Sequence, residues 1–247
     1  MRVSLFVPCL VNHWSPAVGI ATLEVLEKLG HEVVVPLGQT CCGQPMTNSG
    51  CYDEAEDAAR HMLHLLQETD CDAIVCPSAS CTVAAKENFE HFEPGSRTRE
   101  LTGRIHEFTE FLHDVAPVDG FPRRVERRVS LQLSCHGVRM LGLATPSEIR
   151  GTRDDTLANL LGRVDGLEIL YPEPIDECCG FGGSYVKDEA AVSGKMGRDR
   201  ARAHVATGAD TVVGFDPSCL LHLDGVIRRE DLPVRTRHVA QILAEAL

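Results

Sequence analysis

The sequence predicts an α/β protein built from two tandem, pseudo-symmetric domains, each a mainly parallel sheet flanked by helices. Three observations support this fold class. Short apolar runs alternate with amphipathic segments, the order of segments in the first half recurs in the second, and cysteines follow corresponding predicted strands in both halves. We place the first domain at residues 1–120 and the second at 121–247, so that each has the length of a small domain.

The pattern of the first half predicts the order strand, helix, strand, helix, strand. Its predicted elements are strands at 3–7, 32–35 and 73–76 and helices at 16–29 and 53–67. Apolar residues at helical spacing define the first helix, which Gly30 ends. Acidic residues in the first turn of the second helix suit the helix dipole. The alternation of strands and helices indicates a parallel sheet.

The second half repeats this order. Its predicted elements are strands at 130–134, 167–170, 211–214 and 234–235, with helices at 154–161, 188–204 and 218–228 and a last helix ending at Leu247. The break between the halves falls in the Pro- and Gly-containing segment 117–128. The basic run at its end, 123–128, is interpreted as a solvated linker, with a docking patch for an acidic partner as the alternative.

Composition limits the classes of function. There are 24 Lys and Arg against 36 Asp and Glu, a formal charge of −12, and only 5% aromatic residues. This balance argues against nucleic acid or an anionic membrane as a partner. No apolar run of about 18 residues predicts a membrane span, and no signal peptide pattern is present. We therefore expect a cytoplasmic protein, in which 11 cysteines point to metal or redox chemistry rather than to disulfides.

Eight of the cysteines form the same pattern twice. The first half has Cys9, Cys41, Cys42 and Cys81, and the second half has Cys135, Cys178, Cys179 and Cys219. A glycine follows each adjacent pair, giving C-x31-C-C-G and then C-x42-C-C-G. Each cysteine lies beyond a predicted strand, and the carboxyl ends of parallel strands share one edge of a sheet. We therefore expect the four thiols of each half to converge.

Four convergent thiolates suit zinc or an iron–sulfur cluster. Neither half has the C-x2-C loop that is usual for a single zinc ion. Neighbouring cysteines can instead reach two different metal atoms, which a cluster with several irons provides. The first set is expected to ligate one cluster and the second set another, so both sets are predicted as metal-binding and cofactor-binding residues. No catalytic residue is assigned.

The local motifs resemble those of a known family. The segments 39–45, 77–81, 178–183 and 218–221 are similar to the cysteine-rich CCG domains of the lactate utilization protein A family. That family is related to the cysteine-rich subunit of heterodisulfide reductase and to the iron–sulfur subunit of glycolate oxidase. The resemblance covers essentially the whole chain.

The resemblance implies a function, partners and a cofactor. It implies an iron–sulfur electron-transfer subunit of an oxidoreductase complex that oxidises L-lactate, or a similar 2-hydroxy acid, to the 2-oxo acid. The implied partners are a ferredoxin-like iron–sulfur protein and a third small subunit of a lactate utilization system. The implied cofactor is an iron–sulfur cluster, [4Fe–4S], one or two per chain.

The chain departs from the fullest form of the motif, in which each half closes with C-x2-C. Ser78 and Asp216 stand where the first cysteine of that pair would be. Four cysteines per half suit a four-ligand [4Fe–4S] cluster rather than a five-ligand one. Ser78 and Asp216 could supply an oxygen ligand, or they could cap the helix that follows.

Two other functions remain open at this stage. One is thiol–disulfide reduction of the heterodisulfide type, and the other is a zinc-binding scaffold without redox activity. Cys76 lies in a predicted strand and is interpreted as core, while Cys51 and Cys71 are interpreted as free thiols. His13 and His136 lie close to the first cysteine of each set and are candidates to tune a cluster or to move a substrate proton.

Overall fold

The computed structural model describes residues 1–247. The chain forms two compact units, Met1–Phe108 and Thr109–Leu247. The predicted boundary between residues 120 and 121 stays a prediction. Each unit contains one four-stranded sheet in which every neighbouring pair of strands is parallel. The predicted fold class, two α/β repeats with parallel sheets, is confirmed.

The first unit has the strand order β2-β1-β3-β4. Its elements are β1 Arg2–Leu5, α1 Cys9–Trp14, α2 Pro16–Lys28, β2 Glu32–Val34, α3 Gln44–Asn48, α4 Tyr52–Glu68, β3 Ala73–Cys76, α5 Ala79–Phe92, α6 Ser96–Thr102 and β4 Ile105–Glu107. Strand β3 is buried at every residue, as the uninterrupted apolar run predicts for a central parallel strand. The chain reverses its direction of winding between β1 and β3, which places a crevice at the carboxyl ends of these two strands.

The second unit repeats the arrangement with the order β6-β5-β7-β8. A short helix, α7 Phe108–Glu110, and a π-helical turn, Phe111–Val115, precede it. Its elements are β5 Arg127–Gln132, α8 Cys135–Arg139, α9 Thr156–Leu161, β6 Leu167–Leu170, α10 Tyr185–Asp188, α11 Ala190–Ala206, β7 Thr211–Gly214, α12 Pro217–Arg229, β8 Arg235–His238 and α13 Val239–Ala246. Helices α4 and α11 are each 17 residues long and occupy the same place in their units.

The structure adds elements that the sequence pattern does not show. Strand β4 has the sequence Ile-His-Glu, so it contains no apolar run that would predict a strand. The basic run 123–128 is not a linker, because Arg127 and Arg128 begin β5. Arg127 pairs with Glu245 at 3.1 Å, and Arg128 pairs with Glu168 at 2.9 Å. These ion pairs join β5 to neighbouring parts of its own unit.

The packing of α4 provides a test of the first core. Leu66 is fully buried in the apolar cluster beneath this helix, whereas Leu37 is 90% exposed. We expect Leu66→Ala to lower the free energy of unfolding by about 2–5 kcal/mol, because it leaves a cavity. The same change at Leu37 is expected to cost less than about 0.5 kcal/mol. Urea unfolding followed by circular dichroism under reducing conditions measures both, and equal losses would contradict the assigned core.

Candidate functional site

The four predicted cysteines of the first unit come together. Cys9 is the first residue of α1, Cys41 and Cys42 lie in the loop before α3, and Cys81 lies in the first turn of α5. The Cys9 thiol donates to the sulfur of Cys41 at 3.7 Å. The Cys42 thiol hydrogen-bonds the sulfurs of Cys41 and Cys81. Four residues that are far apart in sequence therefore form one continuous chain of sulfur contacts.

The second unit holds its four cysteines in the same way. Cys135 is the first residue of α8, Cys178 and Cys179 lie in the loop before α10, and Cys219 lies in the first turn of α12. Cys178 hydrogen-bonds with Cys135 and Cys179, and Cys179 also hydrogen-bonds with Cys219. Each set contains two partly exposed cysteines and two buried ones. The partly exposed members are Cys9, Cys41, Cys135 and Cys178, and the buried members are Cys42, Cys81, Cys179 and Cys219.

The glycine after each pair is required by the backbone. Gly43 and Gly180 have φ angles of 90° and 89°, in the left-handed region that favours glycine. A Cβ on Gly180 would lie 2.8 Å from the carbonyl oxygen of Ser193. The turn also directs N–H groups at sulfur, since Gly180 N–H lies 3.4 Å from Cys178 Sγ and Phe181 N–H lies 3.5 Å from Cys179 Sγ. The loop is therefore shaped to support negatively charged sulfur.

Hydrogen bonds from neighbouring thiols favour the thiolate form of one cysteine in each set. Cys42 and Cys9 donate to Cys41 and lower its pKa to about 3. Cys135 and Cys179 donate to Cys178 and lower its pKa to about 2. The pKa of Cys9 is raised, chiefly because its thiol is the donor to Cys41. A second thiolate 3.7 Å away would cost about 4 kcal/mol at an effective dielectric of about 20, so each set needs added positive charge to ionise fully.

Ser78 and Asp216 cap the helices that carry the last cysteine of each set. The Ser78 hydroxyl accepts a hydrogen bond from the backbone N–H of Cys81 at 3.3 Å. The Asp216 carboxylate accepts one from the backbone N–H of Ser218 at 3.1 Å. Of the two roles that the sequence leaves open, the structure shows capping. The caps fix the first turns of α5 and α12, and with them Cys81 and Cys219.

A buried polar network in the second unit is absent from the sequence-based prediction. Arg200 is fully buried, and its Nε donates to the side-chain oxygen of Gln132 at 2.7 Å. His204 Nε2 donates to the same oxygen at 2.9 Å, and the Ser130 hydroxyl donates to His204 Nδ1 at 2.8 Å. Burial lowers the pKa of Arg200 to about 10, so it is charged at neutral pH. The signal that the sequence offers is that Arg200 and His204 stand where the first half has the apolar residues Met62 and Leu66.

The remaining candidates have smaller roles. His136 Nδ1 lies 3.6 Å from Cys135 Sγ, whereas His13 Nδ1 lies 2.9 Å from the backbone carbonyl oxygen of Cys9 rather than from its sulfur. Cys76 is buried in the first core, as its place in a strand predicts. Cys51 and Cys71 form no disulfide, as predicted. No group of three or more His, Cys, Asp and Glu side chains is arranged to hold a single metal ion. No helix is long and apolar enough to cross a membrane.

The fold and the two sulfur sets define a class, the two-domain α/β proteins with a repeated cysteine-rich domain. The sequence profile of the CCG cysteine-rich domain matches residues 3–86 and 129–224. The chain is 37% identical to Lactate utilization protein A of Macrococcus caseolyticus, over 98% of this chain and 96% of that protein. It is 34% identical to Lactate utilization protein A of an Exiguobacterium species, over 100% of this chain and 98% of that protein.

The chain therefore belongs to the CCG cysteine-rich domain family and to the lactate utilization protein A family, as its motifs predict. Among solved structures, a hypothetical protein from Helicobacter pylori matches with a TM-score of 0.68 at 10% identity. That match covers 99% of this chain and 48% of the other. At this identity the likeness concerns the fold alone.

The low pKa values of Cys41 and Cys178 give a test on metal-free, reduced protein. A lowered pKa keeps the sulfur ionised as pH falls, and only the thiolate is nucleophilic. Between pH 7 and pH 5 we expect their alkylation rates to change little. The rate for free glutathione should fall about 100-fold over the same range, because an ordinary thiol has a pKa near 8.5. Timed alkylation with site-resolved mass spectrometry measures both, and a parallel fall at Cys41 and Cys178 would contradict the assignment.

Proposed function

We propose that this chain is an iron–sulfur electron-transfer subunit, with one cluster held by each cysteine set. The observation that carries the proposal is the duplicated chain of four sulfur contacts, each beginning at the protein surface and ending in the core. Cys9, Cys41, Cys42 and Cys81 would hold one cluster. Cys135, Cys178, Cys179 and Cys219 would hold the other.

The residues present fit such a group. Iron–sulfur clusters are held by thiolates and are tuned by hydrogen bonds to sulfur. The loop after Cys179 already supplies two N–H groups to sulfur, from Gly180 and Phe181. Cationic metal would also offset the repulsion between neighbouring thiolates, such as those of Cys9 and Cys41, and its binding would release thiol protons. Bound in this way, a cluster supplies one-electron transfer at a site that reaches the surface.

The arrangement favours a cluster over a single zinc ion. Structural zinc sites bring four ligands to one tetrahedral centre, usually through short chelating loops, whereas the four sulfurs of each set here follow one another in a chain of contacts. Adjacent cysteines with fixed, different exposure, such as Cys41 and Cys42, can reach two separate metal atoms. We take [4Fe–4S] as the cluster type, because each unit offers four thiols.

The reaction class is taken from the family. The relatives are named for lactate utilization, and we propose that this chain carries electrons in the oxidation of L-lactate or a similar 2-hydroxy acid to the 2-oxo acid. Its partners in this proposal are a ferredoxin-like iron–sulfur protein and a third small subunit. The proposal places the chain in the cytoplasm, where thiols stay reduced until metal binds.

One observation favours a second candidate, thiol–disulfide chemistry. Cys41 has a pKa of about 3, and its sulfur is 3.7 Å from that of Cys9, so a nucleophile and a resolving thiol lie side by side. This function would need no iron. Metal content therefore separates the two candidates.

The test of the cluster proposal is the metal content of protein purified without oxygen. We expect about eight irons with equal sulfide in the natural chain, at about four per cluster. Cys42→Ala and Cys179→Ala should each lose about half of the iron, because each removes a ligand from one set only. The matched control is Cys76→Ala, which removes a buried cysteine outside both sets and should retain all the iron.

Three results would count against the proposal. Full iron in either ligand variant would exclude two separate sites. Stoichiometric zinc in place of iron would support a scaffold. Absence of metal, together with reduction of a disulfide substrate that Cys41→Ala abolishes, would support the second candidate.

A further inference from the structure

The two cysteine sets rest on different surroundings. In the first unit, Cys42 and Cys81 belong to an apolar cluster that includes Phe6, Met62 and Leu66. In the second unit, the corresponding positions hold Gln132, Arg200 and His204. All six residues are buried to 1% exposure or less. Three apolar residues next to the first set are thus replaced by three polar or charged residues, the polar trio, next to the second set.

The correspondence follows from position in the repeated fold. Phe6 and Gln132 each lie three residues before the first cysteine of their set. Met62 is the eleventh residue of α4 and Arg200 is the eleventh residue of α11. Leu66 and His204 are likewise both the fifteenth residue of these helices.

The polar trio is held in place by hydrogen bonds. Arg200 donates through Nε to Gln132, through Nη2 to the carbonyl oxygen of Ile175 at 3.0 Å, and through Nη1 to that of Pro174. The last two partners lie in the segment just before Cys178. In the first unit, the hydroxyl of Ser4, which corresponds to Ser130, has no hydrogen-bond partner. The network therefore fixes both Arg200 and the approach to the second set.

The guanidinium of Arg200 faces anionic groups of the second set and of the segment before it. It interacts electrostatically with the carboxylate of Glu177, with the sulfurs of Cys179 and Cys219, and with the carboxylate of Asp176. Asp176 is itself paired with Arg139 at 3.3 Å. The hydrogen-bond acceptors of Arg200 are all neutral oxygens, so it forms no direct ion pair. Burial away from water strengthens its electrostatic interactions. The second unit also holds a buried carboxylate at a position where the first has none, Asp216 in place of Ser78, and its charge acts on Cys135 at the partly exposed end of the set.

We propose that Arg200 gives the second-unit cluster a higher reduction potential than the first-unit cluster, so that the second is reduced first. This rests on the proposed function. Reduction takes one electron from an external reductant and makes the cluster more negative by one charge, while Arg200 stays protonated. A fixed cation close by stabilises the added charge. The first unit has no charge at the corresponding position, where Met62 lies.

The test uses the full chain, loaded with iron and sulfide without oxygen, in two variants that each keep one cluster. Cys42→Ala retains the second-unit cluster and Cys179→Ala retains the first-unit cluster. A redox titration with dithionite, followed by electron paramagnetic resonance, gives one midpoint for each. We expect the higher midpoint in Cys42→Ala, with at least a tenfold difference in the reduced-to-oxidised ratio at a common potential, which is about 59 mV for one electron.

Substitutions of Arg200 test whether its charge causes the difference in midpoint potential. Added to Cys42→Ala, the change Arg200→Met supplies the residue of the first unit and should lower the midpoint toward that of the first-unit cluster. Arg200→Lys should keep most of the difference, because the charge remains. The matched control is Arg202→Met, on the same helix, whose exposed side chain pairs with Glu230 and should leave the midpoint unchanged.

The outcomes are separable. Iron in both single-cluster variants, with equal or reversed midpoints, would overturn this inference and leave the proposed function standing. That comparison does not depend on whether Arg200→Met folds. An equal shift from Arg200→Met and Arg202→Met would also overturn it. Absence of iron from both variants and from the natural chain would overturn the proposed function, and this inference with it.

Discussion

The structure depends on one constraint, that parallel strands of a sheet all end at the same edge. In each unit the cysteines lie just beyond the first three strands in chain order, either in a loop or in the first turn of a helix at this edge. Residues as distant as Cys9 and Cys81, or Cys135 and Cys219, are brought to one place without any short chelating motif. The long spacings that look unusual for a metal site are thus a consequence of the topology.

Local features of the backbone bring the converging cysteine sulfurs into contact. Helix caps at Ser78 and Asp216 fix the first turns of α5 and α12. The left-handed glycine after each cysteine pair turns the loop and directs N–H groups toward sulfur. Hydrogen bonds from neighbouring thiols then stabilise the thiolates of Cys41 and Cys178, while repulsion opposes ionisation of the thiols next to them. A cationic metal would offset this repulsion, so the same electrostatics favour metal binding.

Much of this could be predicted from the sequence. Strand β3 can be predicted from an uninterrupted apolar run, and helix α4 from apolar residues at helical spacing. The eight cysteines can be predicted because the same arrangement occurs twice. Strand β4 cannot, since its sequence, Ile-His-Glu, has only one apolar residue. Arg200 was missed for another reason. An arginine on a helix is expected to face solvent, and only the hydrogen bonds to Gln132, Pro174 and Ile175 explain its burial.

The buried network also bears on why the two units are not interchangeable. A duplicated fold begins with two equivalent sites, and the apolar trio of the first unit shows that this position can be filled by packing alone. Replacing it with a charged and hydrogen-bonded trio has a desolvation cost that packing does not have. That cost is difficult to explain by stability, since the first unit folds around the simpler solution. It is understandable if the second site is held at a different electrostatic potential from the first, because two one-electron carriers with equal potentials would give no preferred order of reduction.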